Sequence, residues 1–166
     1  MEQFKYEYDG NGYATAFVWN NNPNHQNSWR RERDSEGRVV SCTYANDPNN
    51  KWSWRQEHSK DGYVISVTFS NDPSNKCSWS QERDSEGRVI AYTQANDPSH
   101  PNSWRGEFLF ELDGYNVILL TDGRIKVGCQ VHTIDHWREN WKEIADADGM
   151  NVETARLGME KLESLL

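Results

Sequence analysis

The chain has 166 residues, of which 35% are hydrophobic and 27% charged, and its mean hydropathy of −0.99 is too low for a thick aliphatic core. Eight Trp among 12% aromatics are too many for a disordered chain, so the composition predicts a thin structure, one sheet deep, held by large rings. A net charge of −8 argues against nucleic acid as a partner, because no basic stripe is available to displace counterions.

Residues 1–113 carry 17 acidic and 12 basic side chains, so the acidity reads as a solvated face of both signs rather than a mimic of DNA. Three cysteines, Cys42, Cys77 and Cys129, are too few and odd in number for a disulfide framework. The opening MEQFKYEYDG has no basic-then-apolar leader, and no apolar run approaches the roughly 20 residues of a membrane helix. The expectation is a cytoplasmic protein with no membrane partner.

From the first residues onward the chain repeats itself. Trp29, Trp54, Trp79 and Trp104 are spaced 25 residues apart, and Phe4 holds the same phase one unit earlier. Glu7, Glu32, Glu57 and Glu82 share a second phase, Gly12, Gly37, Gly62 and Gly87 a third, and Pro23, Pro48, Pro73 and Pro98 a fourth. Residues 1–103 therefore read as four 25-residue units.

Each unit predicts a β-hairpin. A polar alternating strand such as Trp29 to Asp34 meets Ser-Glu-Gly, whose glycine supplies the positive φ of a tight turn. A strand rich in β-branched and aromatic residues follows, and Asn-Asp-Pro ends it. Period-2 alternation puts Val40, Cys42 and Tyr44 on one face, as it does Ile65, Val67 and Phe69, and Ile90, Tyr92 and Gln94. The intervening Ser41, Thr43, Ser66, Thr68, Ala91 and Thr93 make the other face small and polar. In a continuous meander, equivalent Trp residues stand two strands apart, about 10 Å. The Trp ladder then serves either as glue between units or as a ligand-reading stripe with Arg30, Arg55 and Arg105 beside it.

Residues 104–131 form a stretched terminal hairpin with the densest apolar content in the chain, including Phe108, Phe110, Leu112, Val117, Leu119 and Ile125. That is what capping an array requires. Over residues 132–166 the period changes to helical. Thr133 caps a first helix with Trp137, Trp141, Ile144 and Ala145 on one face, and Asp148-Gly149 stops it. Asn151 caps a second, with Val152, Ala155, Leu157, Leu162, Leu165 and Leu166 as its apolar positions. The predicted fold class is mainly β: an antiparallel meander of 25-residue hairpin repeats, about 10–11 strands, with two C-terminal α-helices.

The units WRRERDSEGRVVSCTY and WSQERDSEGRVIAYTQ resemble YD-type (RHS-like) hairpin repeats, through YEYDGNG and two copies of RDSEGRV within residues 4–103. Arg33, His58 and Arg83 stand where that pattern has Tyr, and Asn-Asp-Pro lengthens the period. The tail DGRIKVGCQVHTIDHW resembles a C-terminal segment of small phage and prophage accessory proteins, at Ile125, Gly128, Cys129, Thr133 and Trp137. The resemblance implies a phage-encoded binding protein in the host cytoplasm, acting in counter-defence or host takeover, and implies no chemistry.

Cys129, His132, Asp135 and His136 form C-x2-H-x2-D-H, in which Cys129, His132 and His136 are candidate zinc ligands and the thiol with His132 a candidate nucleophile and base. A cysteine packed at a strand end is the structural alternative. The recurring Glu7, Glu32, Glu57, Glu82 and Glu107 read as cross-strand partners of arginines, because glycosidase chemistry needs two carboxylates in different environments. The expectation is therefore a non-enzymatic protein without a cofactor, whose partner is a host protein or small-molecule signal. A carbohydrate or cell-wall binding module, and a sponge for small nucleotide signals, are the alternatives. The uncovered N-terminal strand predicts a homo-oligomer formed through sheet edges.

Overall fold

The computed structural model describes residues 3–166. Twelve strands follow one another in sequence order as an antiparallel meander, and two helices follow them. The strands are β1 (Phe4–Tyr8), β2 (Ala14–Trp19), β3 (Trp29–Arg33), β4 (Val39–Tyr44), β5 (Trp54–His58), β6 (Val64–Phe69), β7 (Trp79–Arg83), β8 (Val89–Gln94), β9 (Trp104–Leu112), β10 (Tyr115–Leu120), β11 (Ile125–Val127) and β12 (Gln130–His132). The helices are α1 (Ile134–Ala147) and α2 (Val152–Leu165). The count is twelve rather than ten or eleven because Ile125–Val127 and Gln130–His132 close a separate miniature hairpin across Gly128 and Cys129.

Two compact units divide the chain: Met1–Glu82 with Tyr92–Ser103, and Arg83–Ala91 with Trp104–Leu166. In the first, each hairpin pairs five residues deep, as in Trp29↔Tyr44 through Arg33↔Val39, with a register shift after Glu32. Successive hairpins pair over only two residues, Ala16↔Arg30 with Phe17↔Trp29, then Ser41↔Arg55 with Cys42↔Trp54.

The hairpin turn is set by Asp and Gly. Gly37 adopts φ +80° and donates its N–H to the Asp34 carbonyl at 3.0 Å, while Asp34 Oδ1 accepts the Glu36 and Arg38 N–H groups. A left-handed residue here is close to free for glycine and costly for others.

The connection between units begins with a second tight turn. Ala45 and Asn46 both have φ +51°, and Asp47 donates to the Tyr44 carbonyl at 2.9 Å, the geometry of a two-residue type I′ turn. A buried serine then closes the loop. Ser53 Oγ donates to the Asp47 carbonyl at 2.7 Å and accepts the Tyr44 N–H at 2.8 Å. Ser28 and Ser78 repeat both bonds, as does Ser103. The loops are also tied to one another, because Ala45, Ser70 and Ala95 each donate to the carbonyl of Ser28, Ser53 or Ser78 in the unit before.

Burial in this unit is shallow. Its fully covered side chains are small, Ala16, Ser28, Ser41, Cys42, Ser53 and Ser78, whereas Trp29, Trp54 and Trp79 are half-buried. This matches a sheet without a second layer of elements over it.

The second unit holds an aliphatic and aromatic core. Phe110, Val117, Ile125, Trp137 and Leu162 are buried together, with Leu112, Leu119, Ile144 and Met159 packed around them. The Trp137 indole N–H donates to the Ile125 carbonyl at 3.1 Å, which fixes α1 on β11. Both expected caps form: Thr133 Oγ1 accepts the His136 N–H, and Asn151 Oδ1 accepts those of Glu153 and Thr154. On α2 the buried face is Ala155, Gly158 and Leu162, leaving Val152, Leu157, Leu165 and Leu166 exposed, against the sequence expectation. Gly158 faces inward, where a Cβ would meet the Leu112 side chain at 2.5 Å, so α2 approaches β9 more closely than a larger residue allows.

Candidate functional site: a repeated polar channel on the small-residue face

Residues directly opposite across strands share a face. Trp29 lies opposite Phe17 and Tyr44, Arg31 opposite Cys42, and Trp54 opposite Cys42 and Phe69. That face is aromatic. Phe17 stacks on Trp29 at 6.4 Å, Trp79 on Tyr92 at 5.9 Å, and the Arg31 guanidinium covers Trp29 at 4.4 Å from the ring centroid. Each Trp thus fills the gap between its unit and the one before, with part of its ring exposed.

Arg30 lies opposite Thr43 and Ala16, and Arg55 opposite Thr68 and Ser41. Consecutive strand residues point to opposite faces, so Arg30 and Arg55 stand across the sheet from Trp29 and Trp54. A clamp pairing a Trp face with the neighbouring Arg on one base and its phosphate is therefore not built. Trp104 and Arg105 belong to the second unit and are also consecutive in their strand, with Lys126 Nζ 5.3 Å from the Trp104 ring.

The face that carries Arg30 and Arg55 has a floor of small side chains. Ser41 Oγ donates to Glu32 at 2.9 Å and Ser66 Oγ to Glu57 at 3.0 Å, while Arg30 reaches Glu7 of the preceding unit at 3.2 Å. Two concavities open there. One, of about 280 Å³, is lined by Ser41, Thr43, Ser53, Arg55 and Glu32, with Pro48, Asn71 and part of Trp54 at its margin. The other, of about 20 Å³, is lined by Ala16, Val18, Ser28, Arg30 and Thr43, with Pro23, Asn46 and parts of Phe17 and Trp29 at its margin. All of the larger niche's lining residues except Glu32 stand 25 positions after a counterpart in the smaller. The two concavities thus share hydroxyl and guanidinium groups in the same order, Glu32 adds a carboxylate to the larger, and in the next unit Ser80 takes the place of the arginine.

In the second unit, a cavity of about 150 Å³ lies between α1, α2 and strands β9 to β11, lined mainly by apolar groups including Phe110, Trp137, Trp141 and Met159, with Cys129 and Asp148. His132 and His136 stack at 4.2 Å with the Trp137 ring edge-on to His132 at 5.4 Å. Burial, and then the neighbouring His136 charge, hold His132 below the usual histidine range. Among the described residues no three His, Cys, Asp or Glu side chains converge as a metal requires, so Cys129, His132 and His136 do not come together as a ligand set. Cys129 is exposed, whereas Cys42 is the buried one.

The niches were legible only in part. Arg30, Arg55 and the small residues stand out in the sequence, but the serine that closes each loop was missed, although Ser precedes Trp in Ser28-Trp29, Ser53-Trp54, Ser78-Trp79 and Ser103-Trp104. No protein-family model matches the sequence, and the search of curated proteins finds no match.

Proposed function

We propose that the chain is a non-enzymatic binding protein that lays the small-residue face of its repeat array along an extended polar partner and blocks or sequesters it. The observation that carries this reading is the niche of Pro48, Ser53 and Arg55, repeated in register from Pro23, Ser28 and Arg30. A surface repeated every two strands, about 10 Å apart, suits a linear partner with its own regular spacing. The carboxylates recur as equivalents rather than as a pair in contrasting environments, which suits binding rather than acid-base chemistry. The YD-type and phage-tail resemblances support a host component as the partner and the host cytoplasm as the place.

The test is a capture from bacterial lysate, with both protein and small-molecule fractions identified by mass spectrometry. The double variant Arg30→Ala/Arg55→Ala should lose the partner while melting as the wild type does. Unchanged capture would overturn the assignment to this face.

A second reading, a carbohydrate-binding module, is favoured by the half-exposed Trp29, Trp54 and Trp79 rings on the other face. It requires binding to soluble polysaccharide that survives Arg30→Ala/Arg55→Ala and disappears with Trp54→Phe/Trp79→Phe in a folded protein.

A further inference from the structure

The first strand of the array, β1, stands at one end of the strand order. Its five residues read Phe-Lys-Tyr-Glu-Tyr. Phe4 and Tyr8 are each 62% exposed and Tyr6 45%, far more than the half-buried Trp29 that occupies the phase of Phe4. In the interior, Trp29 is flanked by Phe17 before it and Tyr44 after it. Phe4 has only the later flank, Phe17 and Trp19, at 5.8 and 6.4 Å.

The backbone direction of β1 can be read from its neighbours. Gln3 donates to Asn20 Oδ1, and Trp19, opposite Phe4, accepts the Asn22 N–H at its carbonyl and donates its own N–H to Ser28 Oγ, both away from β1. In an antiparallel ladder inward and outward residues alternate. Gln3, Lys5 and Glu7 therefore bond towards β2, and Phe4, Tyr6 and Tyr8 direct their N–H and C=O groups outward.

We propose that this edge pairs antiparallel with β1 of a second copy, about a two-fold axis at Tyr6. Tyr6 then exchanges both backbone hydrogen bonds with Tyr6 of the second copy, and Phe4 does so with Tyr8. The opposite sheet face settles the register. Lys5 of each copy falls directly opposite Glu7 of the other, so the strand is its own charge complement. Slipping the pairing by two residues sets Lys5 against Lys5 or Glu7 against Glu7, and like charges directly opposite are destabilising. Phe4, Tyr6 and Tyr8 of both copies meet on the aromatic face, giving each ring the flank it lacks. The interface is isologous and closes at two copies.

Sedimentation of the full chain at tens of micromolar should show a dimer. Tyr6→Pro removes an outward N–H that the chain's own hairpin does not use, so it should abolish the dimer while the β circular dichroism signal persists. Lys5→Glu and Glu7→Lys should each raise the dimer dissociation constant by roughly tenfold or more, and an equimolar mixture of the two should form a heterodimer of wild-type affinity. A monomeric wild type overturns the proposal. So does a dimer unaffected by Tyr6→Pro, and so do concentration-dependent filaments, which would mean head-to-tail contact between two different edges.

Discussion

The hydroxyl of Ser53 lies 2.7 Å from the carbonyl oxygen of Asp47, and that hydrogen bond closes the loop between two repeats. The same hydroxyl accepts the Tyr44 N–H, so one small buried side chain satisfies two backbone groups. Ser53→Ala leaves the Tyr44 N–H without a partner, a loss of about 1–3 kcal/mol, while the Asp47 carbonyl keeps the Asn50 N–H at 3.1 Å. Thermal melts should show Ser53→Ala and Ser78→Ala losing several degrees, and unchanged melting of both would refute the role assigned to the serine.

The tryptophans should prove structural. A fully buried Trp truncated to Ala costs about 3–5 kcal/mol, and a half-buried ring should cost roughly half of that. Trp29→Ala loses in addition the Arg31 contact and the Phe17 stack. Losses below about 0.5 kcal/mol at Trp29, Trp54 and Trp79, the range of surface substitutions, would move these rings from glue to ligand surface.

The type I′ turns point the other way, to stabilisation. Asn20 occupies the first left-handed position in one unit, whereas Ala45 and Ala95 occupy it in two others, each at φ +51°. The left-handed region costs an ordinary L-residue roughly 1–2 kcal/mol, and asparagine visits it more readily. Ala45→Asn and Ala95→Asn should each raise stability by about 0.5–1 kcal/mol in denaturant melts. A loss of stability in both would contradict the turn geometry.

At the hairpin turns, burial pushes the Asp34 and Asp84 carboxyls up. The Arg38 and Arg88 guanidiniums, with the turn N–H groups of Arg38, Glu36, Arg88 and Glu86, outweigh it and hold both below the usual range. A carboxyl depressed in the folded state adds stability that is complete above its unfolded value, near 4, and vanishes as pH falls through the folded value. The contribution of these two carboxyls should therefore be level from neutral pH to about 5 and be lost below about 4, whereas His132, held low in the fold, lowers stability as pH falls through about 6.5. The double variant Asp34→Asn/Asp84→Asn should have a shallower acid slope, and a slope equal to the wild type's would sink the assignment.

In β9, Gly106 is pressed against the neighbouring strand. A Cβ at this position would stand 2.4 Å from the Leu119 carbonyl oxygen, a backbone atom with little freedom to retreat. Gly106→Ala should cost at least the roughly 1–3 kcal/mol of an overpacked core, read from chemical denaturation.

The sequence exposed those parts of the fold that rest on short-range rules. The 25-residue phase of Trp29, Trp54 and Trp79, the glycines at the hairpin turns, and the caps Thr133 and Asn151 each depend on a few adjacent residues. Strands β11 and β12, at three residues each, are too short for alternation to mark them. The inward turn of Gly158 depends on how near α2 comes to Leu112, and the second unit's cavity is lined from Phe110 to Leu162, so neither leaves a local trace. The placement of Arg30 away from Trp29 follows from alternation alone and was legible, but adjacency in sequence invites the opposite reading.

The carbonyl of Ser28 receives the Ala45 N–H, that of Ser53 the Ser70 N–H, and that of Ser78 the Ala95 N–H, so these bonds reach one unit back and no further. A whole 25-residue segment can then be gained or lost with each of these backbone bonds finding an equivalent partner. Selection acting on such a chain can change the length of its channel in steps of two strands, about 10 Å, without redesigning any niche. The array is in that sense a ruler whose graduations are inherited and whose total length is free to vary.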